Sequence, residues 1–110
     1  KKGTLSHEMI TQGKVFSVNV LAKDHKALAE HFVKPAQGHA DVKLAGIAHH
    51  PGKTGAPLLD EAIAFFECEV REIANAAGDH ALVIGEVVEA GVRKDEDALT
   101  LKDTGWHYGG

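Results

Sequence analysis

The tripeptide Gly78-Asp79-His80 sets an imidazole directly after two residues that tolerate the positive φ of a tight turn. Held at the mouth of the strand-like run that follows, His80 can donate or accept hydrogen bonds near neutral pH, which suits a polar or anionic ligand; it can equally do no more than cap its own turn. A second group of residues opens the chain. Lys2, Thr4 and Ser6 combine a cation, two hydroxyls and the start of a helix, whose free backbone N–H groups favour a phosphate. The same residue types also serve as plain helix caps. Asn19 is the third candidate, a carboxamide on a strand that can bind the edge of a heterocycle or satisfy a neighbouring backbone group.

Other chemistries are set aside on spacing. His39, His49 and His50 fall in one irregular stretch, yet Cys68 is the single cysteine and no H-E-x-x-H occurs, so no metal site is expected. Glu67, Glu69 and Arg71 alternate along a strand and are expected to share a solvated face. Carboxylates two apart on a strand lie about 7 Å from one another and aim in parallel, so no acid–base dyad is implied. Walker, Rossmann and nucleophile-elbow glycine patterns do not occur.

These groups need elements to hold them. Leu5, Met9 and Ile10 share a helical face after Thr4, which predicts a helix near Thr4 to Thr11 with Thr4 as N-cap and Gly13 as terminator. Val15 to Leu21 reads as a strand. Val15, Ser17, Asn19 and Leu21 share one side, and Phe16, Val18 and Val20 form an apolar stripe expected to face the core. Asp24 as N-cap, with Ala27, Leu28, His31 and Phe32 at helical spacing, predicts a second helix from Asp24 to Phe32 that stops before Pro35.

Pro35 through Pro57 is rich in glycine and proline and reads as a long irregular segment, of the kind that often carries function. Ala62 to Arg71 reads as a strand, followed by a hairpin turn at Gly78-Asp79 and a return strand to Glu89, with Gly85 at a bulge or close backbone approach. Arg93 to Asp97 is a polar turn and Ala98 to Leu101 a last short strand. Trp106 and Tyr108 would then share a strand face, able to stack on a planar ligand or pack a dimer seam.

Composition bounds the remaining possibilities. A chain of 110 residues makes one domain and buries roughly 60–70% of its unfolded surface. Its 44% hydrophobic and 25% charged content is that of a soluble globular protein, and a net charge of −4 argues against nucleic acid or an anionic membrane as partner. A single cysteine excludes an internal disulfide and fits a reducing, cytoplasmic setting, with Cys68 a buried structural thiol. No apolar run reaches the roughly 20 residues of a membrane span, and no secretory leader pattern is visible.

Taken in order, Thr4-Leu-Ser-His-Glu-Met-Ile, Val15-Phe-Ser-Val-Asn-Val-Leu, Gly55-Ala-Pro-Leu, Phe66-Glu-Cys-Glu-Val, Gly78-Asp-His and Ile84-Gly-Glu-Val resemble the flavin reductase-like family of FMN-binding split barrels. The stretch Leu99-Thr-Leu-Lys-Asp-Thr-Gly-Trp-His-Tyr-Gly-Gly is similar to the C-terminal module of the flavodiiron (diflavin) proteins of oxygenic phototrophs. The resemblance implies a mainly β, antiparallel split barrel with short helices. Family members carry strands ahead of the region matching Lys1 to Ile10, so it also implies that residues 1–110 are an N-terminally incomplete flavin reductase-like domain.

By that resemblance Lys2, Thr4 and Ser6 hold the FMN phosphate, Asn19 lies on the strand beside the ring, and His80 stands at the nicotinamide side. The implied activity is NAD(P)H oxidation by bound FMN, with electrons passing to a flavin or onward acceptor, including the di-iron domains of a parent protein. A homodimer is implied, its seam drawn from the Phe16 stripe and the Trp106 tail. The alternative is a structural or dimerisation module that no longer binds flavin.

Overall fold

The computed structural model describes residues 1–34, 43–75 and 77–107. Along the chain run α1 (Leu5–Gly13), β1 (Val15–Val20), α2 (Lys26–Val33), β2 (His49–Pro51), β3 (Pro57–Leu59), β4 (Ala64–Ala74), β5 (Leu82–Val92) and α3 (Leu101–Thr104). The strands form a three-stranded sheet in the order β1-β4-β5 and a two-stranded sheet of β2 and β3, all pairings antiparallel. This is the mainly β, antiparallel architecture with short helices that the sequence predicts. No helix among the described residues is long and apolar enough to cross a membrane.

Alternation along β1 sorts the two faces of the larger sheet. Phe16 lies opposite Cys68, which lies opposite Val87, and Val20, Ala64 and Val92 line up in the same way. The reverse face carries Ser17, Asn19, Phe65 and Glu67. The β2–β3 hairpin packs on this reverse face: the Ser17 hydroxyl donates to the Pro57 carbonyl at 2.5 Å, and the Asn19 carboxamide oxygen accepts the Leu59 N–H at 2.8 Å. Ala56, Leu58, Leu59, Ala62 and Ile63 are buried there and at the strand ends, and Cys68 is buried on the opposite face beside Phe16. The Phe16 stripe, expected to face the core, is only half-buried. On the same face, at β5, Val87 is 55% and Val92 79% exposed.

Local signals explain most of the elements. Thr4 caps α1 as expected, its hydroxyl oxygen accepting the His7 N–H at 3.2 Å. The helix ends one residue later than Gly13 implied, because Lys14 takes the left-handed conformation at φ 60° and returns its N–H to Ile10. Asp24 does not cap α2. His25 holds that position, its Nδ1 turned back to accept the Ala22 N–H at 3.2 Å, and the helix begins at Lys26.

Gly85 makes the close approach foreseen for it: a Cβ there would sit 2.8 Å from the Phe16 ring and 3.0 Å from the Cys68 Cβ. The expected strand over Ala98 to Leu101 shrinks to one bridge, Ala22 to Ala98. Thr100 and Asp103 instead form a reciprocal capping box that starts α3. Trp106 lies past this helix in no strand, and Tyr108 lies outside the described residues.

Glu67 departs furthest from expectation. Glu69 is half-buried and Arg71 exposed, but Glu67 keeps 1% of its surface. The hairpin loop between β2 and β3 folds over it. The loop is closed by Gly52 N–H to Ala56 O at 2.9 Å and Gly55 N–H to Gly52 O at 3.0 Å, and Gly55 takes φ 89°. The N–H groups of Lys53 and Thr54 then converge on the carboxylate at 3.1 and 2.9 Å, with the Thr54 hydroxyl at 2.6 Å. A charge that reads as solvated on strand alternation is thus buried because a neighbouring loop supplies three donors.

Candidate functional site

A pocket of about 780 Å³ opens where α1, β1, α2 and β3 meet. Its volume lies within the roughly 300–1,000 Å³ of ligand clefts. Of the residues singled out on sequence, Thr4, Ser6 and Asn19 all line it. Apolar side chains supply most of the remaining wall, among them Leu5, Met9, Leu21, Phe32, Pro57 and Leu59. Such walls accept a flat, apolar ring system.

The polar groups differ in how far they are already engaged. The Asn19 amide donates to the Ser17 hydroxyl oxygen and to the Pro57 carbonyl, each at 3.3 Å, while its oxygen takes the Leu59 N–H. Asn19 therefore builds the wall by fixing β3, with its hydrogen-bonding capacity turned toward the protein. The Thr4 hydroxyl donates to the Lys1 carbonyl at 2.8 Å while accepting from His7. Ser6 is exposed in the first turn of α1, where the leading N–H groups have no intrahelical acceptor. Hydroxyl and backbone donors together suit an oxyanion such as a phosphate.

Lys2 and His80 stand outside this wall. The Lys2 ammonium donates to the Gly78 carbonyl at 3.0 Å, and its backbone N–H to the Asp79 carbonyl at 2.8 Å. The chain leading into α1 is thereby tied to the turn that carries His80. His80 Nδ1 pairs with the Asp79 carboxylate at 2.8 Å, and this partner holds Asp79 below the ordinary carboxylate range. Gly78 supplies the turn at φ 113°.

Sequence reading missed several wall residues. Lys34 and Lys43 line the pocket, and Phe32 and Val33 at the end of α2 form one side of it together with Lys34. Phe32, expected on sequence as one position of a helical face, is part of this wall. The β2–β3 hairpin was read as irregular chain, though Pro51-Gly52 through Gly55 is itself a turn signal between two short apolar runs. Arg93, read as part of a polar turn, reaches across to the Leu59 carbonyl at 2.7 Å and lies over the Phe65 ring at 5.2 Å. It braces the end of β3 that borders the pocket.

The chain is 36% identical over 109 residues to a putative diflavin flavoprotein A 6 of Nostoc, matching 96% of this chain and 18% of that protein. Its fold is similar to the NADH:FAD oxidoreductase SgcE6 of Streptomyces globisporus, solved in complex with NAD and FAD fragments, at TM-score 0.73 and 28% identity over 88% of this chain and 56% of that one. It is also similar to an FMN-binding protein of Thermus thermophilus, at TM-score 0.70 and 27% identity over 84% of this chain and 50% of that one. The chain thus spans from about a fifth to about half of these relatives' length. The family description "Flavin reductase like domain" matches residues 1–110, and the chain belongs to that family.

Proposed function

We propose that residues 1–110 are a flavin reductase-like domain that binds FMN and oxidises NAD(P)H, passing electrons to a flavin or an onward acceptor within a larger oxygen-reducing protein of the flavodiiron type. The observation that carries the reading is the pocket itself: an apolar slot whose wall includes Ser6 and the first turn of α1 and whose charged residues, among those described, are Lys34 and Lys43. These residues fit the group. Leu5, Met9, Leu21 and Phe32 would flank the ring, and Thr4, Ser6 and the α1 amides would hold the phosphate.

Bound flavin supplies the hydride and electron chemistry. The protein's own part is placement. Asn19 and Ser17 hold β3 as one wall of the slot, and Lys2 holds the Gly78-Asp79-His80 turn beside the entrance to α1. His80 then acts at the rim as a positioning residue for the nicotinamide, and Lys2 contributes to the phosphate end through its charge. A homodimer joined through the half-exposed Phe16 face completes the proposal, in a cytoplasmic setting.

The test is a visible spectrum of the purified protein, followed by titration of FMN and riboflavin into wild type and the double variant Thr4→Ala, Ser6→Ala. Flavin absorbance with at least tenfold weaker FMN binding in the variant, and riboflavin binding unchanged, is the expected result. Equal FMN affinity in the two proteins would remove the phosphate assignment. A protein that takes up no flavin would be the structural or dimerisation module instead.

A further inference from the structure

We propose that Lys34 and Lys43 form a second phosphate-binding position in this pocket, so that it selects a nucleotide carrying a phosphate in addition to the one at Ser6. The inference rests on the flavin and nicotinamide reading above and concerns which nucleotide the site prefers.

Among the described lining residues, Lys34 and Lys43 are the charged side chains and no Asp or Glu occurs. Lys43 is held rigidly. Its ammonium donates to the His31 carbonyl at 2.8 Å and to the Lys34 carbonyl, and its own carbonyl bonds His31 Nε2 at 2.8 Å. These contacts satisfy the carbonyls at the C-terminal end of α2 and fix one cation there. Lys34 leaves the helix at that point in extended conformation, φ −61° and ψ 137°, and reaches the same pocket. Its ammonium has no hydrogen bond or ion pair with the described residues.

Among the described residues, two lysines share one wall that no carboxylate lines, which leaves Lys34 open to an anion. Lys43 is committed to the backbone and contributes field. Lys34 retains its three donors and contributes the contact. A compact ammonium on a flexible stem suits a phosphate, which offers charge and several acceptor oxygens in place of one fixed plane. The added phosphate has two chemical sources: the 2′-phosphate that distinguishes NADP(H) from NAD(H), or the second phosphate of a dinucleotide flavin.

Titration calorimetry of the flavin-loaded chain with NADP+ and NAD+, and of the flavin-free chain with FAD and FMN, separates the sources. In wild type, the more phosphorylated member of one pair binds at least tenfold tighter. Lys34→Ala removes about tenfold from that member and leaves the other within twofold, and Lys34→Arg, which keeps the charge, restores most of the loss. A change confined to the nicotinamide pair identifies the 2′-phosphate, and one confined to the flavin pair identifies the flavin's second phosphate. Ratios unmoved by Lys34→Ala, or equal weakening of both members, overturn the proposal. If FMN binding still depends on Thr4 and Ser6 in that case, the flavin reading survives; if neither flavin nor nicotinamide binds at all, both readings fall.

Discussion

His80 and Asn19 show how the same kind of sequence signal resolves in different ways. Each was legible as a polar group on or beside a strand, with a ligand role and a local role both open. Asn19 reaches the pocket wall, but its carboxamide spans Ser17, Pro57 and Leu59. His80 bonds its neighbour Asp79 and stands outside the wall, joined to it through Lys2. Strand alternation could place Asn19 on the correct face, because period two is local. It could not reveal that β3 would consume both ends of the amide, because that contact spans 40 residues of sequence. Positioning by His80 predicts a specific kinetic pattern. In a flavin-loaded protein, His80→Ala should raise KM for NAD(P)H several-fold and leave kcat within about twofold, since hydride transfer needs close stacking more than an acid. A collapse of kcat at constant KM would place the residue in the chemical step.

The β2–β3 hairpin is where sequence reading and structure part most clearly. Its strands have three residues each, too short for alternation to show, and its loop is organised by a carboxylate from a distant strand. Glu67 looked solvated because every local rule for β4 put it opposite Phe66 and Cys68. Burial raises the affinity of Glu67 for a proton, yet the Thr54 hydroxyl, the N–H groups of Thr54 and Lys53, and the Lys53 charge together hold its pKa below the ordinary value. The ionised form therefore stabilises the fold fully above the usual carboxylate range, and that contribution is lost as pH falls through the lowered folded value. Glu67→Ala should cost about 2–4 kcal/mol at neutral pH by leaving the loop donors unmet. The gap from wild type should narrow on acidification, as read by urea unfolding from pH 7 to pH 3. A gap that stays constant with pH would mean that packing, and not charge, accounts for the loss.

At the scale of the whole molecule, the larger sheet has one face dressed by the hairpin and one left half-bare. Two rows of this second face, Val20-Ala64-Val92 and Phe16-Cys68-Val87, end in exposed valines. If this face joins two copies, Val92→Lys should shift the protein toward monomer in analytical ultracentrifugation while its circular dichroism spectrum stays that of the folded chain. An unchanged sedimentation profile would remove this face from the assembly. β5 also stands at the rim of its sheet, where free amides and carbonyls invite another chain. The β4–β5 ladder is interrupted there twice. Arg71 faces no partner between the pairs Val70–Gly85 and Glu72–Ile84, and Val88 none between Cys68–Val87 and Glu67–Glu89. Each extra residue bends and coils the ribbon, so the rim is not a straight template. Leu82, Ile84 and Val87 can then stay exposed on a strand that resists stacking into fibrils, and the two bulges act as guards against aggregation in a crowded cell.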